Sequence, residues 1–224
     1  MITTVEGMYR YFLQLINKEQ THTINPATFN FLINTSNIDW VKSKLPMNEF
    51  NQVFIDDLQV LLVDGDISEG IDVADDFIFD IPEDYMHGIN ALFDVEIINS
   101  NCYSDGIKYK LSAILMKSDE KTVIKNSYYR QPKDSRLYYR YANNKIRLFT
   151  GKYSDTSESV GKKMYLDYYK LPRKIEYVFE GISTNSEFGP LQQQEIVERA
   201  VQMFLEKNRD PRYQSFLNEQ AQKR

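Results

Sequence analysis

One cysteine, two histidines, one tryptophan and nine glycines in 224 residues leave little catalytic vocabulary. Cys102 alone excludes an intrachain disulfide and every metal site built on several thiolates. Its neighbour is Tyr103, and it reads as a small packing residue. His22 and His87 stand too far apart for a local metal motif, and neither has a nucleophile placed beside it by a recognisable pattern. His87, in IPEDYMHGI after a helical-turn signal, reads as a surface or partly packed histidine. The glycine-rich phosphate cradles GxGxxG and GxxxxGK[ST] are both missing, so nucleotide-driven chemistry has no seat. Apolar residues never run for the roughly 18 positions a membrane-crossing helix needs. The start MITTVEGMYRYF has neither the basic opening nor the apolar stretch of a signal peptide. No catalytic set, cofactor, metal or membrane contact is expected, and the chain reads as cytosolic or assembled from cytosol.

Positive charge is missing from one long block. Between Lys44 and Lys108 there is no Lys or Arg, while 15 acids occur there, clustered at Asp72, Asp75, Asp76, Asp80, Glu83 and Asp84. Downstream the sign reverses, most strongly from Lys125 to Lys174, where 13 bases meet four acids; the formal net charge is −5. Three readings follow. The blocks neutralise each other within one subunit or are solvated faces; or they face opposite sides, so that like subunits attract head to tail and a closing rotation gives a ring; or the basic half, with YYRQPKDSRLYYRYANNKIRL, binds nucleic acid. The last lacks the overall basic excess, since the sequence pI is about 5.2.

Two acidic patterns fail on inspection. In DGDISEGIDVAD, residues Asp64, Asp66, Ser68, Gly70, Asp72 and Asp75 occupy positions 1, 3, 5, 7, 9 and 12 of a calcium-loop register. Position 6 needs Gly for its sharp turn and is Glu69, and position 12 is a short Asp where a bidentate Glu belongs. Asp75 and Asp76 are adjacent on an expected strand and so point to opposite faces, unable to flank one glycosidic bond.

Hydrophobic period divides the chain. Helices are predicted over 5–20 (Met8, Phe12, Leu15, Ile16), from Asn25-Pro26 to near Pro46 (Phe29, Leu32, Ile33, Trp40, Val41), and from Pro46 through Leu61 to a turn at Asp64-Gly65-Asp66. Beyond Gly65 the pattern becomes β-rich. Strands are expected at 77–79, 92–98, 107–117, 122–125, 137–141 and 146–150, the last two joined by Asn143-Asn144. From Lys163 to Lys170, Met164, Leu166 and Tyr168 share one face and Tyr165, Asp167 and Tyr169 the other. The stretch GKYSDTSESVGKK, 151–163, reads as a mobile hairpin loop. A last helix opens after Gly189-Pro190 with Ile196, Val197, Ala200, Val201, Phe204 and Leu205 in a stripe and Glu195, Glu198 and Arg199 outward; Pro211 breaks it. The expected fold is α+β: an N-terminal helical unit (1–64), a central antiparallel β-rich domain (65–189), and a C-terminal helix with an extended docking tail (190–224).

Tyrosine is abundant, with 16 copies, several in pairs such as Tyr128-Tyr129, Tyr138-Tyr139 and Tyr168-Tyr169. In a strand one member of a pair enters the core and the other faces out, where Tyr beside Arg makes a good interface anchor. Candidate partner-contact residues are therefore Arg136, Tyr138 and Arg140 on the basic side and Asp72, Asp75 and Asp76 on the acidic side. In the tail, Tyr213, Phe216 and Leu217 are too few to fold alone and enough to dock in a groove.

Five segments, NPATFNFLINTSNIDWVKSKL, IFDIPEDYMHGINALFDVEI, LYYRYANNKIRLFTGK, MYLDYYKLPRKI and EIVERAVQMFLEKNRDPRYQSFL, occur in an order that resembles the head-to-tail connector proteins of tailed phages, the ring or adaptor-like type of crAss-like podoviruses. The shared marks are a helix with a Phe-Asn start, the Pro82 to Tyr85 turn, a strand closing from Tyr168 to Ile175, and a final helix opening at Glu195 to Val197. The resemblance implies a non-enzymatic virion protein, assembled in the host cytoplasm into a closed ring, a dodecamer in that family's habit. Its implied partners are like subunits, the portal and neighbouring neck and tail rings, with DNA passing through the channel without specific binding. The alternative is a nucleic-acid-binding accessory protein using Lys125 to Lys174.

Overall fold

The computed structural model describes residues 4–16, 24–47, 52–73, 76–98, 107–117, 119–127, 129–130, 136–149, 152–154 and 157–208. Helices α1 (Val5–Leu15), α2 (Pro26–Lys44) and α3 (Gln52–Leu58) come first. Strands β1 (Leu62–Glu69), β2 (Ile71–Val73), β3 (Asp76–Asp80), β4 (Tyr85–Ile98), β5 (Ile107–Ser112) and β6 (Ile114–Leu115) follow, then helix α4 (Lys121–Asn126). Strands β7 (Tyr138–Ala142), β8 (Lys145–Phe149), β9 (Lys152–Ser154) and β10 (Ser157–Lys170) precede helix α5 (Pro190–Lys207). The protein is α+β. Its described residues form two compact units, one drawn from 1–61 and 171–224, the other from 62–170. The boundaries thus fall at 61/62 and 170/171, and α5 with the segment before it groups with the N-terminal helices; association between chain ends leaves no local mark in a sequence.

In the helical unit the end signals are the ones the sequence carries. The Thr4 hydroxyl accepts from Gly7 N at 3.2 Å at the start of α1, and Asn25 accepts from Ala27 N at 3.0 Å with Pro26 at the first position of α2. Helix α1 spans Val5–Leu15 with Ile16 as its C-cap, its N–H bonded to the Phe12 carbonyl, and residues 17–20 of the expected helix lie outside the described residues. Met8, Phe12, Phe29, Ile33, Trp40, Ile196, Val197, Ala200 and Val201 are fully buried. Phe12 and Phe29 meet edge-on at 5.4 Å, as do Trp40 and Phe188 at 5.1 Å.

The extended segment 171–189 is bound to α2 by two asparagines one helical turn apart. Asn34 donates to Ile175 O at 2.7 Å and accepts from Ile175 N at 2.8 Å; Asn30 does the same with Tyr177, at 3.1 and 2.9 Å. Each primary amide thus replaces one rung of a β-ladder, which satisfies backbone groups the segment would otherwise leave to water. Polar contacts along α5 complete the unit. Lys44 Nζ lies 3.4 Å from Asp57 and 3.5 Å from Glu195, and Glu195 also accepts from Trp40 Nε1 at 2.7 Å. Arg199 donates to Asp39 O and to the Ser43 hydroxyl. Glu195 and Arg199, expected to be simply outward, are therefore fastened to α2.

The second unit is two five-stranded sheets, one ordered β1-β10-β4-β5 with β9 also on β10, the other β2-β3-β8-β7-β6. Every pairing is antiparallel except the short β6–β7 contact. Alternation explains the core: Phe77 and Phe79, Ala91 and Phe93, Tyr139, Ile146 and Leu148, and Met164, Leu166 and Tyr168 all point between the sheets. The β7–β8 turn is made by Asn143 and Asn144, with φ of 55° and 57°, the left-handed pair a two-residue hairpin demands.

Four local expectations are corrected here. Asp64-Gly65-Asp66 is no turn but a bulge inside β1, where Gly65 at φ 67° donates its N–H to Asp167 at 2.9 Å across the sheet. Residues 157–162 of the expected loop continue β10, paired with β4 from Ile98 inward; a stretch with Val160 as its single large apolar residue has no hydrophobic period to announce it. Residues 122–125 lie in helix α4, because burying Ile124 against Met116, Tyr138 and Phe149 outweighs the β preference of Thr-Val-Ile. Finally, β4 starts at Tyr85, directly after the Pro82 turn closed by Tyr85 N to Pro82 O at 3.1 Å, so His87 lies exposed on a strand.

Candidate functional site

The residues of the basic side occupy the face of β7 and β8 that points away from the intersheet core. Arg136 is exposed just before β7, and its Nη1 donates to Tyr129 O at 2.7 Å, fastening the connection that leads into the strand. Tyr138 differs from expectation: at 7% exposure it is buried with Met116, Ile124 and Phe149 under α4, so it is a packing residue of its own unit and not an exposed anchor. Its neighbour Tyr139 is equally buried in the intersheet core, so both faces of β7 are covered at this point. Tyr168 and Tyr169 are likewise both buried, while Tyr129 is 79% exposed.

Arg140 stands directly opposite Arg147 in the β7–β8 register. Its guanidinium carbon lies 5.6 Å from the centre of the Phe149 ring. The Nε atoms of both arginines are buried and have no hydrogen-bond partner among the described residues. Arg147 was not visible as a site residue in the sequence; the signal is a cross-strand register fixed by the Asn143-Asn144 turn, which sets Arg140 and Arg147 at equal distances from it. Two register positions further toward that turn, Lys145 is paired with Asp80 of β3 at 2.8 Å, with side chains 45% and 67% exposed. The acidic and basic blocks therefore do meet within this unit, in this exposed ion pair and in the registers that set Glu69 opposite Lys163 and Asp94 opposite Lys110.

On the acidic side, Asp72 falls on edge strand β2 and Asp76 on its neighbour β3. Asp75, Tyr213, Phe216 and Leu217 lie outside the described residues, as do His22 and Cys102. Asp64, Asp66 and Ser68 of the calcium-loop register run along extended β1. Among the described residues no group of three His, Cys, Asp or Glu is placed to hold a metal ion, and no helix is long and apolar enough to cross a membrane.

The opposite edge of the same sheet is apolar. Ile114 and Leu115 of β6 are 51% and 54% exposed, and Val123 on α4 is 57% exposed. An edge strand carrying exposed aliphatic side chains and no charge is open to pairing with another chain.

A tyrosine cluster sits in and against the intersheet core. Tyr85 lies 5.8 Å from Tyr141 and 5.7 Å from Tyr168, and Tyr141 lies 5.9 Å from Tyr139, measured between ring centres. Tyr168 donates to Asp84 at 2.8 Å. Burial, then hydrogen bonding and charge from Asp84, push the Tyr168 phenol well above its ordinary value; burial and the neighbouring phenols of Tyr85 and Tyr139 do the same for Tyr141. These phenols are held neutral, the opposite of what a tyrosine base requires. In the helical unit an open groove of about 620 Å³ beside α2 is lined by Asn30, Ile38, Ile175 and the mixed charges Asp39, Lys42, Lys174 and Glu176. No protein-family model and no curated protein matches the chain.

Proposed function

We propose that the protein is a structural, non-enzymatic virion component: a subunit of a ring at the head-to-tail junction of a tailed phage, between portal and tail, around the channel through which DNA passes. The order of the five segments that resemble phage connectors supports this reading. The observation that carries it is the pair of unlike edges on the second sheet, with acid-bearing β2 at one end of the strand order and the exposed aliphatic β6 at the other. Unlike edges on one sheet suit a heterologous, head-to-tail contact between copies, and such contacts close into rings when the rotation allows. Acidic surface toward the channel would let DNA slide, since Lys and Arg contacts to phosphate are what create affinity.

Mass photometry of the purified protein across salt, alone and mixed with a portal ring, tests the reading. A defined ring, or a monomer that becomes one on the portal, is the expected result. A monomer indifferent to the portal at every salt concentration would overturn it. Deleting residues 211–224, with Tyr213, Phe216 and Leu217, should leave a folded protein that no longer joins the assembly; retained assembly would remove the tail from the interface.

A further inference from the structure

Two like charges directly opposite on adjacent strands repel, and a sheet ordinarily avoids the arrangement. Arg140 and Arg147 hold it on the face of β7–β8 away from the intersheet core, with both Nε–H groups buried and unpartnered among the described residues. Asp80 of β3 is paired with Lys145. Asp76 stands opposite Phe149 in the β3–β8 register, two positions from the Ile78–Arg147 pair.

The surroundings favour an anion. Phe149 and Tyr138, packed with Met116 and Ile124, form an apolar wall beside the pair, and Arg140 lies against the Phe149 ring. An apolar wall lowers the local dielectric and strengthens any charge-assisted hydrogen bond made there. Each guanidinium presents its N–H groups as a rigid fork that fits two oxygens of one anion, and two forks side by side suit an anion with more than two acceptor oxygens. A carboxylate has two oxygens and one charge; a phosphate has enough of both to serve two forks. We propose that Arg140 and Arg147 together bind a phosphate-type oxyanion, as free phosphate or as a phosphodiester of nucleic acid. This site lies on the inner strands β7 and β8 of the sheet, next to β6, and does not depend on ring formation.

The arginine Nε–H signals of the full-length protein report on the site directly. In a titration with inorganic phosphate, against sodium chloride at matched ionic strength, two of these signals should shift saturably, and Arg140→Gln and Arg147→Gln should each delete one of them. Each substitution should weaken binding at least about tenfold, as expected for loss of hydrogen bonds to a charged group. Arg140→Lys and Arg147→Lys keep the charge and the aliphatic stem while deleting the fork, so they should fold and still lose most of the affinity. A short single-stranded oligonucleotide that shifts the same signals and is displaced by phosphate identifies nucleic acid as the source; a response to phosphate alone identifies the free ion. Shifts no larger than those in chloride, affinity unchanged by all four substitutions, or a response confined to an acidic peptide such as residues 64–76 would overturn the proposal. If Asp76 already occupies the pair, phosphate will bind only to Asp76→Asn, and that result overturns it as well.

Discussion

Asn34 performs, with one side chain, the work of a neighbouring strand, and its replacement shows how much a single amide carries. Asn34→Ala leaves Ile175 N–H and C=O without their partner in a half-buried place, and should cost about 1–3 kcal/mol in urea unfolding. Asn34→Asp keeps the acceptor and loses the donor, so it should fall between. Gly88 is a second sensitive position for a different reason. A Cβ there would run into the Tyr141 hydroxyl and stand 2.8 Å from that of Tyr85, so Gly88→Ala must displace packed rings and should destabilise by about 1–3 kcal/mol. Removing the nearer obstacle in Gly88→Ala/Tyr141→Phe should recover part of that loss, and a double-mutant cycle measures it. The same tyrosines set an alkaline limit. Tyr141 and Tyr168 ionise less readily folded than unfolded, so the folded state holds their protons more tightly above pH 10. Their contribution is whole below pH 10 and declines as pH rises beyond it. Urea midpoints should therefore fall as pH rises from about 10 to about 12, and less steeply in Tyr168→Phe; a pH-independent midpoint over that range would contradict the burial of these phenols.

Elements whose pattern repeats were legible in the sequence, and those defined by pairing alone were not. The caps Asn25-Pro26 and Gly189-Pro190, the stripe of α5 and the alternation from Met164 to Tyr168 each state a buried face in local terms. The outer half of β10 has no such face; its strand character comes from β4, far away in sequence. Helix α4 and the Gly65 bulge were hidden in the same way, since tertiary packing of Ile124 and the Asp167 bond to Gly65 N–H decide them. Of the candidate contacts, Arg140 was legible as a cation on a strand, but its partner Arg147 emerges only once the Asn143-Asn144 turn fixes register. That turn is a further point of test. Gly occupies left-handed φ at lower cost than Asn, so Asn144→Gly should raise the melting temperature slightly, whereas Asn144→Val should lower stability by about 1–2 kcal/mol.

At the scale of the whole molecule, the question is what shields an edge that natural sheets normally protect. β6 carries no charge and leaves Ile114 and Leu115 about half exposed, and a charge placed on such a strand is the usual defence against pairing. If the edge is an assembly contact, adding that defence must abolish assembly without disturbing the fold. Leu115→Lys should therefore keep its unfolding midpoint within about 0.5 kcal/mol, as exposed substitutions usually do. It should also stay monomeric where the parent forms a ring, alone or on the portal. Salt separates the two kinds of contact. Screening shortens from about 10 Å at 0.1 M to about 3 Å at 1 M, so an interface held chiefly by the acidic and basic blocks dissociates over that range, whereas one held by the aliphatic edge persists. A ring that survives both high salt and Leu115→Lys would place the contact elsewhere on the subunit, and a ring lost to salt yet indifferent to Leu115→Lys would assign it to charge alone.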